Sequence, residues 1–123
     1  MITQNDKNYS TILHLSTFFG WFFPFGNIIA PLIMWIAKKN DSDFIDDHGK
    51  AALNFQLSLT LYSFLLAILI IPITILTLGL GLVAVILGII PAIILTLIFV
   101  ITASIKASNG ELYDYPFTIE FIK

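Results

Sequence analysis

Four apolar segments alternate with short polar ones along the chain, and a polar tail over 107–123 follows the last of them. The segments cover about 9–23, 28–38, 48–78 and 82–106. A helix needs about 20 apolar residues to cross the hydrocarbon core of a bilayer, so the last two are long enough and the first two are each shorter than a full crossing. The pattern predicts an all-α membrane protein with about four transmembrane helices, folded as a single integral membrane domain over residues 1–123.

The first two segments are separated by the tetrapeptide Pro24-Phe25-Gly26-Asn27. Proline cannot continue the hydrogen bonding of a helix, and Gly-Asn favours a turn. We therefore expect Pro24, Gly26 and Asn27 to form the turn of a short hairpin. Whether that hairpin crosses the membrane fully or is re-entrant stays open at this point.

The charged residues fall in only three places: the N-terminus, the central loop and the C-terminus. The turns at 24–27 and 79–81 carry none. A hairpin puts all charge on one side of the membrane, whereas a single kinked span over 9–38 would divide the lysines between two compartments. The positive-inside rule favours the hairpin and predicts a bacterial cytoplasmic (inner) membrane protein with both termini in the cytoplasm.

Composition narrows the possible functions. The chain is 58% hydrophobic and 11% charged, too little polar surface for an ordinary soluble domain. A formal net charge of -2 gives no basic face for nucleic acid. The absence of cysteine excludes disulfides, thiolate catalysis and cysteine-ligated metals. With no room for a separate catalytic domain, we expect no enzyme.

One stripe of small side chains follows the fourth segment. Its residues recur every four positions, a spacing that puts them on one face of a helix: Ala84, Gly88, Ala92 and Thr96. In lipid, small side chains let two helices approach closely. The stripe predicts helix packing, either against the third segment or against another chain.

The third segment carries polar side chains that form a candidate groove: His48, Asn54, Gln56, Ser58, Thr60 and Tyr62. At about 100° per residue, Asn54, Ser58 and Tyr62 share one face, and Gln56 and Thr60 lie nearly opposite. Two polar faces on one spanning helix require partners on both sides. The faces predict interhelical hydrogen bonds or, alternatively, a hydrated groove, since polar groups in a membrane are often functional.

Two histidines, His14 and His48, are predicted near the same ends of their helices and could approach each other. A pair of imidazoles can ligate haem, but interfacial hydrogen bonding accounts for two such residues more simply. Asp46 and Asp47 precede His48, with no nucleophile or metal-ligand motif placed to use them, and are interpreted as solvated loop acids. We therefore predict no catalytic, cofactor-binding or metal-binding residue, and no cofactor.

Several short motifs give the sequence a family resemblance. They are His14-Leu15-Ser16, the stretch 24–35 that starts with the turn, the stretch 47–56 with Asp47-His48-Gly49-Lys50, and Lys106-Ala107-Ser108-Asn109-Gly110-Glu111 followed by Tyr115-Pro116-Phe117. In this order they resemble the bacterial domain of unknown function 4870 family, which is distantly similar to the chloroplast Tic translocon import component. The resemblance implies a small bacterial membrane protein of about four helices without assigned catalytic residues.

These observations lead to a functional expectation. We expect a small non-enzymatic multi-pass membrane protein in membrane organisation, integrity or a translocation assembly, the last implied by the distant translocon similarity alone. Its expected partners are membrane lipid and a second copy or a larger membrane complex, without nucleic acid. The alternative is a pore or carrier that moves a small solute or ion through the polar groove on the third helix.

Overall fold

A computed structural model describes residues 2–123, and within this range the chain is helical without β-strands. The four α-helices are α1 (Gln4–Leu15), α2 (Gly26–Lys38), α3 (Asp43–Leu76) and α4 (Leu80–Ser108). A 3-10 helix, Ser16–Trp21, continues α1. The prediction of an all-helical chain with four helices, two of them long and apolar, is confirmed.

Helix α1 begins five residues before the predicted apolar segment. Thr3 caps its first turn, since the Thr3 hydroxyl accepts from the Asp6 amide at 3.1 Å and the Asp6 carboxylate accepts from the Thr3 amide at 3.1 Å. This reciprocal cap stabilises a helix start in polar sequence, where apolar periodicity gives no signal. Beyond Leu15 the chain tightens into the 3-10 helix, so residues 9–23 form two elements and not one.

The chain reverses between the 3-10 helix and α2, over residues 22–25. Phe25 is left-handed, with φ 62°, and α2 starts at Gly26. A Cβ on Gly26 would lie 2.5 Å from the carbonyl oxygen of Phe19, so only glycine fits this close approach. The Tyr9 hydroxyl donates to the carbonyl of Met34 at 2.8 Å and holds α1 beside α2.

Helix α3 starts at Asp43, where the Ser42 side chain accepts from the Ile45 amide. From this cap the helix continues unbroken to Leu76. Gly49 lies inside it, against the indole of Trp35. The Trp35 Nε1 group donates to the Asp46 carboxylate at 2.8 Å and joins the end of α2 to the start of α3.

The core lies at one end of the molecule. The buried residues of α3 all fall between Phe44 and Ser58, and those of α4 fall between Val100 and Ala107 except for Gly81. The centre of the core is the stacked pair Phe55 and Tyr115, whose ring centroids are 4.2 Å apart. The packed parts of the two long helices are therefore the first half of α3 and the last third of α4.

The remaining lengths of α3 and α4 are apolar and exposed. The most apolar 18-residue stretch of α3 contains no buried residue, and in α4 only 6% of that stretch is buried. Exposed apolar surface on this scale is typical of sites that contact a membrane or another protein. Within residues 2–123, these two helices are long and apolar enough to cross a membrane. Helices α1 and α2 have 12 and 13 residues, so each is about 20 Å long and shorter than the hydrocarbon core.

The tail over 109–123 leaves α4 and runs back along α3. Its alternating sequence predicts an extended piece, and the structure places it against side chains of α3 without a strand ladder. The Lys50 ammonium donates to the carbonyl of Lys123 at 3.2 Å, and Gly110 lies beside the Lys7 side chain. Both termini are thus at the packed end of the molecule.

Candidate functional site

The polar residues of the third segment are brought together with the tail. The Asn54 side chain binds one tail residue twice: Nδ2 donates to the Ile122 carbonyl at 3.0 Å, and Oδ1 accepts from the Ile122 amide at 2.7 Å. One turn further on, the Ser58 hydroxyl accepts from the Ile119 amide at 2.7 Å. The two side chains replace the partners that a neighbouring strand would supply to this extended backbone.

Tyr62 lies one further turn along the same face and donates its hydroxyl to the carbonyl of Phe117. We call Asn54, Ser58 and Tyr62 the tail clamp. Their four-residue spacing aligns them along α3, and the tail follows the same line in the opposite direction. The face predicted to require polar partners therefore finds them in the backbone of the same chain.

The opposite face of α3 binds the hairpin turn. The Asn27 Nδ2 group donates to Gln56 Oε1 at 2.8 Å, which fastens the start of α2 to α3. Thr60 donates its hydroxyl to the Gln56 carbonyl at 2.9 Å, within its own helix. Of the three turn residues, Gly26 and Asn27 lie in the first turn of α2 and Pro24 lies in the reversal before it.

The two histidines meet in the core, as part of a chain of hydrogen bonds. His14 Nδ1 is 2.7 Å from the Tyr115 hydroxyl, and His14 Nε2 is 2.7 Å from His48 Nδ1. His48 Nε2 is 2.9 Å from the carbonyl oxygen of Glu111. Both imidazoles are almost completely buried.

The Glu111 end of this chain of hydrogen bonds determines which nitrogen of each imidazole carries a proton. The Glu111 carbonyl can only accept, so His48 Nε2 carries a proton and donates. His48 Nδ1 of the neutral ring then accepts from His14 Nε2, and His14 Nδ1 accepts from the Tyr115 hydroxyl. Burial, followed by the neighbouring His48, lowers the pKa of His14 to about 3, and burial raises the pKa of Tyr115 well above its usual value. This chain of hydrogen bonds is therefore neutral and fully paired, and it joins α1, α3 and the tail.

This pairing leaves little capacity for haem. Both ring nitrogens of His14 and of His48 are engaged, so axial ligation requires that one of these bonds break. Over residues 2–123, no group of three or more His, Asp or Glu side chains is placed to hold a metal ion. Asp46 binds Trp35 and forms an ion pair with Lys50 at 3.0 Å, whereas Asp47 is exposed.

The small-residue stripe on α4 is open in this structure. Ala84, Gly88 and Ala92 are exposed, and Thr96 is half-buried. A Cβ built on Gly88 has no atom within 4 Å, so this part of the stripe does not pack against α3. The sequence leaves open whether the stripe packs against the third segment or against another chain. Within residues 2–123, no helix packs against the stripe at Gly88.

A cleft of about 530 Å³ opens between the 3-10 helix, α3 and α4. Asn27 and Gln56 border it on one side, and Ala92 and Thr96 border it on the other. The cleft extends from the Asn27–Gln56 amide pair to Ala92 and Thr96, which are the residues of the small-residue stripe nearest the packed end. The arrangement is able to hold an apolar molecule with one polar group.

Sequence reasoning missed the central role of the tail. The sequence pattern predicts neither the burial of Tyr115 in the core nor the binding of the 117–122 backbone to α3. The available signal was Tyr115-Pro116, because proline after a tyrosine holds the chain extended and keeps the tail from continuing as a helix.

Fold and site define a small helical protein in which two helices, long and apolar enough to cross a membrane, carry a polar, hydrogen-bonded end. The chain belongs to the magnetosome magnetite crystal formation protein family, MamF/MmsF, which matches residues 5–122. No curated protein and no solved structure matches the chain significantly.

The family match corrects the resemblance drawn from short motifs. The assignment to the domain of unknown function 4870 family is wrong, and the similarity to the Tic translocon component is not supported either. The motifs that suggested it lie at the end of α1, in the reversal and α2, within α3, at the end of α4 and in the tail.

Proposed function

We propose that the protein is a non-enzymatic membrane component that organises the membrane around it. The membrane in question is the one in which its family takes part in magnetite crystal formation. The observation that carries the proposal is the division of the molecule. The polar side chains at the packed end are used to fold the chain's own turn and tail, while the outer apolar lengths of α3 and α4 face outward with an open stripe of small residues. Such a molecule is built for contact with lipid and with other helices.

The mechanism that we propose is assembly through α4. Ala84 and Gly88 lie beyond the packed end, where the side-chain space beside Gly88 is empty. In lipid, helices associate by close packing of backbones rather than by the hydrophobic effect, and small residues permit this approach. A second copy of the chain or a helix of a larger membrane complex is the proposed partner.

The positions of the termini and of the lysines support a proposed orientation of the protein in the membrane. The two termini lie together at the packed end, and every lysine belongs to a segment at that end. The positive-inside rule then favours the bacterial cytoplasmic membrane with the packed end in the cytoplasm. In this arrangement α3 and α4 cross as a hairpin, and the turn at 77–79 reaches the far side.

The pore or carrier alternative receives less support. Its face of Asn54, Ser58 and Tyr62 is covered by the tail, and Gln56 on the other face is bonded to Asn27. A hydrated path along α3 would need these side chains to face water. Flux through liposomes that is abolished by Asn54→Leu would favour this alternative.

Assembly is tested with Gly88→Ile, which adds a branched side chain at the open position of the stripe. The matched control is Val83→Phe, which adds bulk on the opposite, exposed face of α4. We expect Gly88→Ile to weaken association about tenfold or more, equivalent to about 1.4 kcal/mol, in cross-linking and sedimentation experiments in mild detergent. Val83→Phe should associate as the unmodified chain does. A chain that is monomeric under these conditions and recovers no partner on in-cell cross-linking would contradict the proposal.

A further inference from the structure

The cleft between α3 and α4 has a position in the membrane that the lengths of the helices define. From Leu57 to Leu76, α3 has about 20 residues and spans about 30 Å, the thickness of a hydrocarbon core. If the turn after Leu76 lies at one boundary of that core, then Gln56 lies at the other. The amide pair at the cleft is thus at the depth of the lipid ester groups.

From this boundary the cleft extends into the apolar layer. Its wall on α4 runs from Val100 to Ile89, a rise of about 16 Å toward the bilayer midplane. Between these two residues the wall is formed by Ala92, Ile93, Thr96 and Leu97, and Ser63 lines the cleft from α3. The cleft therefore has an amide pair at its boundary end and mainly apolar side chains along its depth.

The polar end retains hydrogen-bonding capacity. Gln56 is only 3% exposed, and its Oε1 accepts from Asn27. An amide group also carries two N–H donors, and within residues 2–123 the side-chain hydrogen bond of Gln56 is the one that its Oε1 accepts from Asn27. Because Gln56 lines the cleft, this amide is available to an acceptor that enters it.

We infer that the cleft is a binding site for one acyl chain of a membrane glycerolipid, with the ester carbonyl accepting a hydrogen bond from Gln56 Nε2. A glycerolipid has ester carbonyl acceptors at the boundary and apolar acyl chains below them, in the same order as the cleft. The volume of about 530 Å³ lies within the range of about 300–1,000 Å³ that is typical of small-molecule sites. This site goes beyond the proposed function, because it does not depend on assembly.

The lipid site and the assembly surface are separable on α4. Gly88 does not line the cleft, whereas Ala92 does, one turn closer to the packed end. A second copy that entered the cleft would have to place an acceptor against Gln56 at the membrane boundary. The large exposed side chains of the outer helices are mainly aliphatic, whereas a glycerolipid carries its acceptor at this depth.

The site is tested in vesicles of phosphatidylethanolamine and phosphatidylglycerol that contain a trace of phosphatidylglycerol with a photoreactive diazirine on one acyl chain. After illumination, the adducts are located by mass spectrometry. We expect them to concentrate on the α4 residues of the cleft, around Ala92 and Thr96. Ala92→Phe should fill the cleft and reduce these adducts about tenfold or more. Ile94→Phe, which adds a ring on the other side of α4, should leave them unchanged.

A second pair of variants tests the polar end. Gln56→Leu removes the amide donor and should reduce the adducts. Asn27→Ala breaks the same Asn27–Gln56 bond but keeps the donor, and should leave the adducts unchanged.

Adducts that are spread evenly around both helices, or that respond equally to Ala92→Phe and Ile94→Phe, would overturn the inference. A cleft that carries no lipid adducts, while other lipid-exposed positions of α3 and α4 do, would also overturn it. Gly88→Ile should leave lipid adducts intact, which separates this result from a failure of the assembly proposal.

Discussion

Gly49 illustrates how a single residue sets the contact between two helices. It lies in the first turns of α3, where the indole of Trp35 packs directly on the backbone. A Cβ at this position would overlap Trp35 Cδ1, with two more side-chain atoms of Trp35 within 2.9 Å. Trp35 cannot withdraw without losing its hydrogen bond to Asp46. The absence of a side chain at Gly49 therefore allows α2 and α3 to pack as they do.

Gly49→Ala should lower the free energy of unfolding, even though alanine is the better helix former. Overpacking of this kind costs about 1–3 kcal/mol, more than the gain of up to about 1 kcal/mol from helix propensity. Gly88→Ala is the matched control, since Gly88 has no atom within 4 Å of an added Cβ and should be neutral or slightly stabilised. Unfolding in detergent micelles measures both. Equal effects at the two glycines would contradict the proposed contact with Trp35.

At the scale of elements, the tail acts as a fifth packing element without regular secondary structure. It is held by side chains on α3, by the stacking of Tyr115 on Phe55 and by the hydrogen bond to His14. These bonds pair the backbone of Ile119 and Ile122 with part-buried side chains of α3 and pair the buried hydroxyl of Tyr115 with His14. The packed end of the molecule is thus built from α1, α3, α4 and the tail together.

The contribution of the tail clamp is testable with Asn54→Leu. This variant removes both bonds to Ile122 and should increase hydrogen exchange over residues 119–123, because the extended backbone there has no other ladder. Thr60→Val is the control, since Thr60 bonds only to the carbonyl of Gln56 in its own helix. If exchange in the tail rises equally in both variants, or in neither, the clamp does not hold the tail.

The elements also mark what the sequence could predict. Apolar runs and the Pro24 turn predict four helical segments, and helical spacing predicts two polar faces on α3. Spacing gives the direction of a face but not what covers it, so the tail on one face and Asn27 on the other were not predicted. The early start of α1 was missed because its signal is the cap at Thr3 and not hydrophobicity.

At the scale of the whole molecule, the chain divides into a packed polar end and an exposed apolar hairpin. The N-terminus and the central loop share a surface, since Ile2, Asp6 and Asp41 line one shallow pocket, and the C-terminus reaches Lys50 nearby. At the other end, Leu78 in the turn between α3 and α4 is 96% exposed. The account therefore requires that both termini and the central loop lie on one side of the membrane and that Leu78 lies at the other.

Single cysteines measure this arrangement directly, because the chain contains no cysteine of its own. Asn5→Cys, Asn40→Cys, Lys123→Cys and Leu78→Cys each place a thiol at an exposed position. In sealed vesicles of one orientation, a membrane-impermeant maleimide should label the first three from the same side and the cysteine at 78 only from the opposite side. Labelling of the cysteines at 5 and 123 from opposite sides would contradict the account.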